Sequence, residues 1–143
     1  MAGTGKLRAT ECDTEILDVC MKLSAIKADH MKPAAFVRYI AKGIEAGRTI
    51  CLVRYDKAGL LGCAVLTWQQ SVADASSLWI DFAWARPGTD AADAGMKTIE
   101  ELARLMGART IRIEAKRGWG AYTRKYGFQE AARIMKKELT NGQ

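Results

Sequence analysis

One segment of the chain has the residue types and spacing of a strand that runs through a tight loop into a helix. It is residues 85–104, ARPGTDAADAGMKTIEELAR. A strand, a tight loop and a helix N-terminus together are a common backbone arrangement for binding a phosphate group. This loop, however, contains Asp90 and Asp93 and has no lysine before Lys97. The segment is therefore a phosphate site, a degraded phosphate site, or only the start of a helix.

The charges at the helix start favour the last interpretation. A helix N-terminus carries roughly half a positive charge and several unsatisfied N–H groups. Asp90 is well placed as the N-cap residue, and Asp93 is placed to complete a box-like cap. Their carboxylates would occupy the N–H groups that a phosphate needs and would repel it. A shifted loop could still offer N–H groups from Gly88 and Thr89, with Arg86 beside them.

A second residue with chemical potential is Asp81, in the apolar stretch LWIDFAW at residues 78–84. Burial raises the pKa of a carboxyl group toward neutrality, where it can act as a general base. The alternative is that Asp81 faces solvent or pairs with a lysine or arginine and has no catalytic role. The residue pattern leaves both interpretations open.

The elements that position these residues follow from hydrophobic spacing and turn residues. Ile16, Val19 and Leu23 recur at helical spacing, whereas Pro33 and Gly47 are placed at the ends of a second helix. The predicted elements are strands at 6–10, 49–55, 60–68, 77–85, 109–115 and 130–139, and helices at 13–26, 32–47, 90–108 and 119–126. The spacing at 130–139 also permits a helix.

This order predicts one α/β (α+β) domain over residues 1–143, arranged β-α-α-β-β-β-α-β-α-β. We expect a central mixed sheet of about six strands with helices on both faces. Strands 49–55 and 60–68 should pair antiparallel across DKAG. Both faces of 60–68 are apolar, so this strand should be covered on both sides.

Composition excludes several classes of protein. The chain is 49% hydrophobic and 27% charged, which is typical of a globular domain. No apolar run is long enough to span a membrane and no leader is evident, so we expect no membrane association. The expected location is the cytoplasm, or a virion made in the cytoplasm. The four cysteines form no C-x-x-C pair; they are Cys12, Cys20, Cys51 and Cys63. The single histidine, His30, lies in a predicted loop. We therefore expect buried free thiols and no metal site.

Positive charge is concentrated near the C-terminal end. Residues 104–137 contain ten Lys or Arg and two Glu, which gives +8, and the total of +6 leaves −2 for the rest of the chain. Such a basic segment favours an acidic partner, which would be a phosphorylated cofactor, a nucleic acid or an acidic protein surface. The alternative is a solvated strand and helix.

The element order, together with YTRKYGF at residues 122–128, resembles the GNAT acetyltransferase superfamily. The resemblance covers nearly the whole chain and is strongest in the C-terminal third. It implies that acetyl-CoA enters a gap between the fourth and fifth strands. The cofactor arm would follow the fourth strand at Phe82 and Trp84, and the pyrophosphate would lie at the next helix start near Arg86, Gly88 and Thr89.

The loop departs from the pattern of that family. Ala85-Arg86-Pro87 fits its V-x-P opening, but Asp90 stands where the family has Arg or Gln. Ala91 and Asp93 stand where its two loop glycines are expected. The resemblance therefore implies weak or absent acetyl-CoA binding.

The catalytic positions of the family are also incompletely matched. The general base of some relatives falls on Asp81, whereas the tyrosine that is often the general acid falls on Thr123. Tyr122 and Tyr126 flank that position, and either could serve if the helix is shifted. The alternative is that both tyrosines pack against Trp119.

The sequence thus favours a GNAT-like protein with a degraded cofactor loop that acts as an interaction or structural module. It is similar in style to small GNAT-like proteins of tailed phages, some of which are virion-associated or internal virion proteins. An active acetyl-CoA-dependent N-acetyltransferase is the alternative, and a nucleic-acid binder that stacks Trp119 and Tyr122 is a third. We expect other protein chains to bind at five residues of the basic segment: Lys116, Arg117, Trp119, Arg124 and Lys125.

Overall fold

The computed structural model describes residues 5–26, 33–70, 76–113, 124–129, 135 and 137–139. The helices are α1 (Asp13–Ile26), α2 (Pro33–Glu45) and α3 (Ala91–Met106), and the strands are β1 (Arg8–Ala9), β2 (Thr49–Asp56), β3 (Gly59–Gln69), β4 (Ser77–Ala85) and β5 (Thr110–Ile113). The predicted helix at 119–126 is described, and helical, only at 124–126. The predicted last strand at 130–139 lies largely outside the described residues.

The strands form one mixed sheet in the order β1-β2-β3-β4-β5. The first four strands pair antiparallel, and β4 pairs with β5 in parallel. A parallel pair needs a crossover connection, which α3 provides here. The predicted α/β class and mixed sheet are confirmed, with five strands among the described residues where about six had been expected.

The predicted hairpin is present at β2 and β3. Val53 lies opposite Cys63, and the strands close at Asp56 and Gly59. The turn is held by a 2.9 Å hydrogen bond from the Ala58 N–H to Oδ1 of Asp56. Gly59 has a φ of +116°, a conformation that side chains disfavour, which explains the glycine.

Helices cover both faces of the sheet, so the core has two layers. Cys63 and Val65 of β3 pack with α1 and α2 on one face, whereas Ala64 and Leu66 pack with α3 on the other. Leu66 is fully buried. The expectation that β3 is covered on both sides is confirmed.

The α3 helix begins and ends where the sequence predicts. Asp90 is its N-cap residue, and Gly107, with a φ of +79°, is its C-cap. The Ala108 N–H donates to the Ala103 carbonyl at 2.9 Å, which satisfies one of the last free carbonyls of the helix. The helix faces the sheet through Ile99 and Ala103.

Three of the four thiols are buried, as predicted, and Cys12 is exposed. Cys12 lies just before α1, outside the apolar spacing that buries Cys20. Its prediction as a buried thiol was wrong because its neighbours Glu11 and Asp13 are exposed polar residues at the helix start.

Candidate ligand-binding cleft

The edge of β4 that faces β5 is described over only part of its length. Ser77 to Ile80 of β4 pair with Thr110 to Ile113 of β5. On the other edge, residues 82–85 of β4 pair with β3. The chain that follows Ile113 lies outside the described residues, so the gap that the family resemblance implied stays a prediction.

A β-bulge interrupts the pairing of β3 with β4. Val65 lies opposite Phe82 and Leu66 opposite Ile80, so Asp81 is the extra residue on β4. A bulge bends the strand and redirects its side chains. Phe82 is buried in the core beneath α1 and α2.

The Asp81 carboxylate is exposed and accepts a hydrogen bond from the Thr67 hydroxyl. Of the two interpretations that the sequence left open, exposure to solvent is the one found here, because the bulge turns the side chain outward instead of into a core layer. The exposed carboxylate lies on the sheet face shared by Thr67 and Val65, which α1 and α2 cover. A group that Asp81 contacts must therefore approach from that face.

The loop between β4 and α3 presents backbone toward the opposite face. Gly88 has a φ of +77°, and the Thr89 hydroxyl donates to the Arg86 carbonyl at 2.6 Å. The Thr89 oxygen also accepts a 3.3 Å hydrogen bond from the Ala91 N–H. Thr89 therefore shapes this helix start.

The predicted acidic cap is only partly right. Asp90 occupies the N-cap position, but its side chain makes no capping hydrogen bond. The Asp93 carboxylate does not complete a capping box, because it accepts hydrogen bonds from the Tyr126 hydroxyl at 2.6 Å and from Nζ of Lys125 at 3.1 Å. Neither carboxylate therefore accepts a capping hydrogen bond from the first N–H groups of α3, contrary to the expectation that they occupy these donors.

The acidic loop has a buried basic neighbour, Arg54 of β2. Nη1 of Arg54 lies 3.5 Å from Oδ1 of Asp90, and the Arg54 side chain is 6% exposed, whereas that of Asp90 is 72% exposed. Arg54 is the residue that sequence reasoning missed. The available signal was a guanidinium inside the otherwise apolar β2 sequence TICLVRYD.

Arg86 is held by the hairpin turn. Its guanidinium donates to both carboxylate oxygens of Asp56, at 2.6 and 3.0 Å, and to the Leu60 carbonyl at 2.9 Å. The bonds from Arg86 lower the pKa of Asp56. Arg86 was predicted to bind the cofactor, but these three bonds commit its guanidinium to the protein.

A cavity of about 450 Å³ lies between β4, the start of α3 and residues 126–128. Of the predicted cofactor residues, Trp84, Arg86, Gly88 and Thr89 line it, and Phe82 lies in the core on the other face. Tyr126 and Phe128 form one wall. The cavity has the size of a small-molecule site, and part of its lining is the backbone at the start of α3.

The remaining predicted site residues fall into two groups. Arg124 and Lys125 are exposed, as expected for a partner surface. Tyr122 and three residues of the predicted partner surface, Lys116, Arg117 and Trp119, lie outside the described residues, as does the packing proposed between Trp119 and the tyrosines.

Within the described ranges, no group of three or more His, Cys, Asp or Glu could hold a metal ion. A search of the same ranges for a helix long and apolar enough to cross a membrane found none.

Comparison with solved structures identifies the fold. An acetyltransferase from Trypanosoma brucei superposes with a TM-score of 0.72 at 18% identity, over 94% of this chain and 99% of that one. A predicted acetyltransferase from Clostridium acetobutylicum, solved with acetyl-CoA, gives 0.75 at 12% identity, over 93% and 95%. An aminoglycoside N-acetyltransferase in complex with CoA gives 0.76 at 10% identity, over 97% and 99%.

No family model and no curated protein sequence matches the chain. At these identities the likeness establishes the fold alone, which is that of the GNAT acetyltransferases.

Proposed function

We propose that this protein binds an acyl-CoA thioester, with acetyl-CoA as the prototype, and transfers the acyl group to an amine. One observation carries the proposal: the start of α3 borders a cavity of about 450 Å³, and the carboxylates of Asp90 and Asp93 turn away from its first N–H groups. When bound, the thioester supplies an activated acyl carbon.

In this proposal, ligand binding and proton transfer would take place on opposite faces of the sheet. The backbone of Gly88 and Thr89 and the start of α3 would hold the phosphates on one face. Asp81, beyond the bulge on the other face, would orient the acceptor amine and take a proton from its ammonium form. An exposed carboxylate is reachable by an acceptor, and the bond from Thr67 fixes its orientation.

Calorimetric titration with acetyl-CoA tests binding, and release of free CoA thiol in the presence of primary amines tests transfer. Asp81→Asn should leave the Kd for acetyl-CoA unchanged and lower turnover by about 100-fold or more. Asp13→Asn, an exposed carboxylate at the start of α1, is the matched control and should change neither. Absence of binding at millimolar acetyl-CoA would contradict the proposal.

A second candidate is a protein-binding module, as the degraded loop motif suggests, for which a phage virion would be one setting. The observation that favours it is a set of large apolar side chains left exposed near the basic C-terminal segment. They are Leu105 at 86%, Met135 at 92% and Leu139 at 86%. Exposed apolar side chains beside positive charge fit an acidic partner surface with an apolar centre.

Charge reversal at Arg124 tests this candidate, since Lys125 is already paired with Asp93. Arg124→Glu and Leu105→Glu should reduce co-purification of a partner protein and leave acetyl-CoA affinity unchanged. If they instead weaken binding of a single-stranded DNA oligonucleotide, the partner is a nucleic acid. If neither co-purification of a partner protein nor DNA binding changes, the basic surface is only a solvated face.

A further inference from the structure

An indole lies next to the exposed carboxylate of Asp81. Leu78 and Ile80 of β4 are buried in the core layer beneath α3, so the alternation of side chains along a strand places Trp79 on the opposite face. Thr67 of β3 is the residue directly across from Trp79. The same Thr67 donates its hydroxyl hydrogen bond to Asp81. Trp79 and Asp81 therefore meet at Thr67, on the face of the sheet from which a ligand reaches Asp81.

The indole of Trp79 is also held from the neighbouring strand on its other side. Arg112 of β5 is the Cα partner of Trp79, and its guanidinium lies 5.9 Å from the centroid of the ring. A cation at this distance is attracted by the charge distribution of the π system. Trp79 thus stands between Arg112 on one strand and Thr67 on the other, and the contact with Arg112 restricts the orientation of its ring.

The helices α1 and α2 cover this face of the sheet unevenly. Val65 and Phe82 are buried beneath them, whereas Thr67 and Trp79 are half-buried and Asp81 is exposed. An accessible indole whose orientation is already restricted offers a flat apolar surface at a low entropic cost. The carboxylate beside it offers a site for an ammonium group. The two side chains together fit a molecule that has an ammonium group at one end and a flat apolar group at the other.

We propose that Trp79 selects the acyl acceptor, and that this acceptor is a primary amine with an aromatic arm, an arylalkylamine. This selection rests on the acyl transfer proposed above, with Asp81 at the acceptor amine. The aromatic arm would pack on the indole in an offset or edge-to-face arrangement. Two residues of a strand span about 7 Å, a separation that a short linker between amine and ring can bridge. Trp79 is thus a specificity-determining residue and takes no part in proton transfer.

Calorimetry in the presence of CoA compares 2-phenylethylamine with ethylamine, which lacks the aromatic arm. The natural chain should bind 2-phenylethylamine about tenfold or more tightly than ethylamine, and also more tightly than the non-aromatic 2-cyclohexylethylamine. Trp79→Leu should lose this preference and Trp79→Phe should retain most of it, with an unchanged Kd for acetyl-CoA in both. Trp68→Leu is the matched control and should keep the preference, because Trp68 packs in the α3 layer on the opposite face.

The outcomes separate the two proposals. If acetyl-CoA binds but the natural chain shows no preference for 2-phenylethylamine over either other amine, or if Trp79→Leu keeps the preference, only this inference fails. If Trp79→Leu does not fold, the indole N–H resonance of Trp79, identified by its loss in Trp79→Phe, decides. It should shift when 2-phenylethylamine is added, and an unchanged resonance overturns the inference. If acetyl-CoA does not bind and no amine releases CoA, the proposed function fails, and this inference with it.

Discussion

The hydroxyl of Tyr126 donates a 2.6 Å hydrogen bond to Oδ1 of Asp93, on the first turn of α3. Nζ of Lys125 lies 3.1 Å from the same oxygen. Both bonds lower the pKa of Asp93, and the bond from Tyr126 has the larger effect. They fasten residues 124–128 to α3 and so complete one wall of the cleft.

We expect Tyr126→Phe to retain acetyl transfer to within about tenfold of the natural chain, because its hydroxyl is already committed to Asp93. Loss of a true general acid would cost roughly 100-fold to 10,000-fold. Initial rates of CoA release measure the difference, with Tyr39→Phe, an exposed tyrosine of α2, as the control. A drop of 100-fold or more would make Tyr126 the catalytic acid.

Acid should destabilise the fold through Glu15. Hydrogen bonds from Arg8 and then Thr10 lower its pKa to about 2. The folded-state value lies below the unfolded one, so the stabilisation is complete above about pH 4.5 and is lost as pH falls toward 2. Denaturant unfolding at pH 6 and pH 3 should show a smaller loss for Glu15→Gln than for the natural chain. An equal loss in both would show that Glu15 does not contribute.

Gly43→Ala should destabilise the protein by about 1–3 kcal/mol, the reverse of the usual gain in a helix interior. A Cβ on Gly43 would overlap the Thr49 hydroxyl and approach Cβ of Thr49 to 2.6 Å. Gly95→Ala in α3 is the matched control, since its new Cβ meets the movable Leu7 side chain at 3.2 Å. Thermal unfolding of both variants checks the prediction, and equal midpoints would refute it.

Thiol reagents should modify Cys12 first. Cys12 is exposed and a hydrogen bond with Thr14 lowers its pKa, whereas burial raises the pKa of Cys20 to about 11 and of Cys51 and Cys63 to about 12. Because the thiolate is the reactive form, one alkylation per chain is expected at pH 7. Mass spectrometry counts the modifications, and Cys12→Ser should abolish the early one. Rapid labelling of a second thiol would show that the core opens.

Much of the fold could be predicted because its signals are local. The spacing of Ile16, Val19 and Leu23 identifies α1, and Gly107 marks the end of α3. Both depend on residues within a few turns of one another. The gap between β4 and β5 came from the family resemblance alone and stays a prediction, because the chain after Ile113 lies outside the described residues.

The side-chain partners in the cleft could not be predicted from the sequence. Arg86 and Asp56 are separated by 30 residues, and Asp93 and Tyr126 by 33. Such pairs depend on how the elements pack, which periodicity does not report. The exposure of Asp81 could not be decided from the sequence either, because one inserted residue, the bulge, changes which side chains of β4 face the core.

The order of the strands in the sheet is also their order in the chain. β2, β3 and β4 can therefore assemble as successive hairpins between residues 49 and 85, and closing such short loops has a low entropic cost. The pairing of β1 with β2 closes a loop that contains both α1 and α2. The pairing of β5 with β4 requires the α3 crossover. We therefore expect the three-strand meander to be the folding nucleus, and the cleft, which needs β5 and α3, to form last.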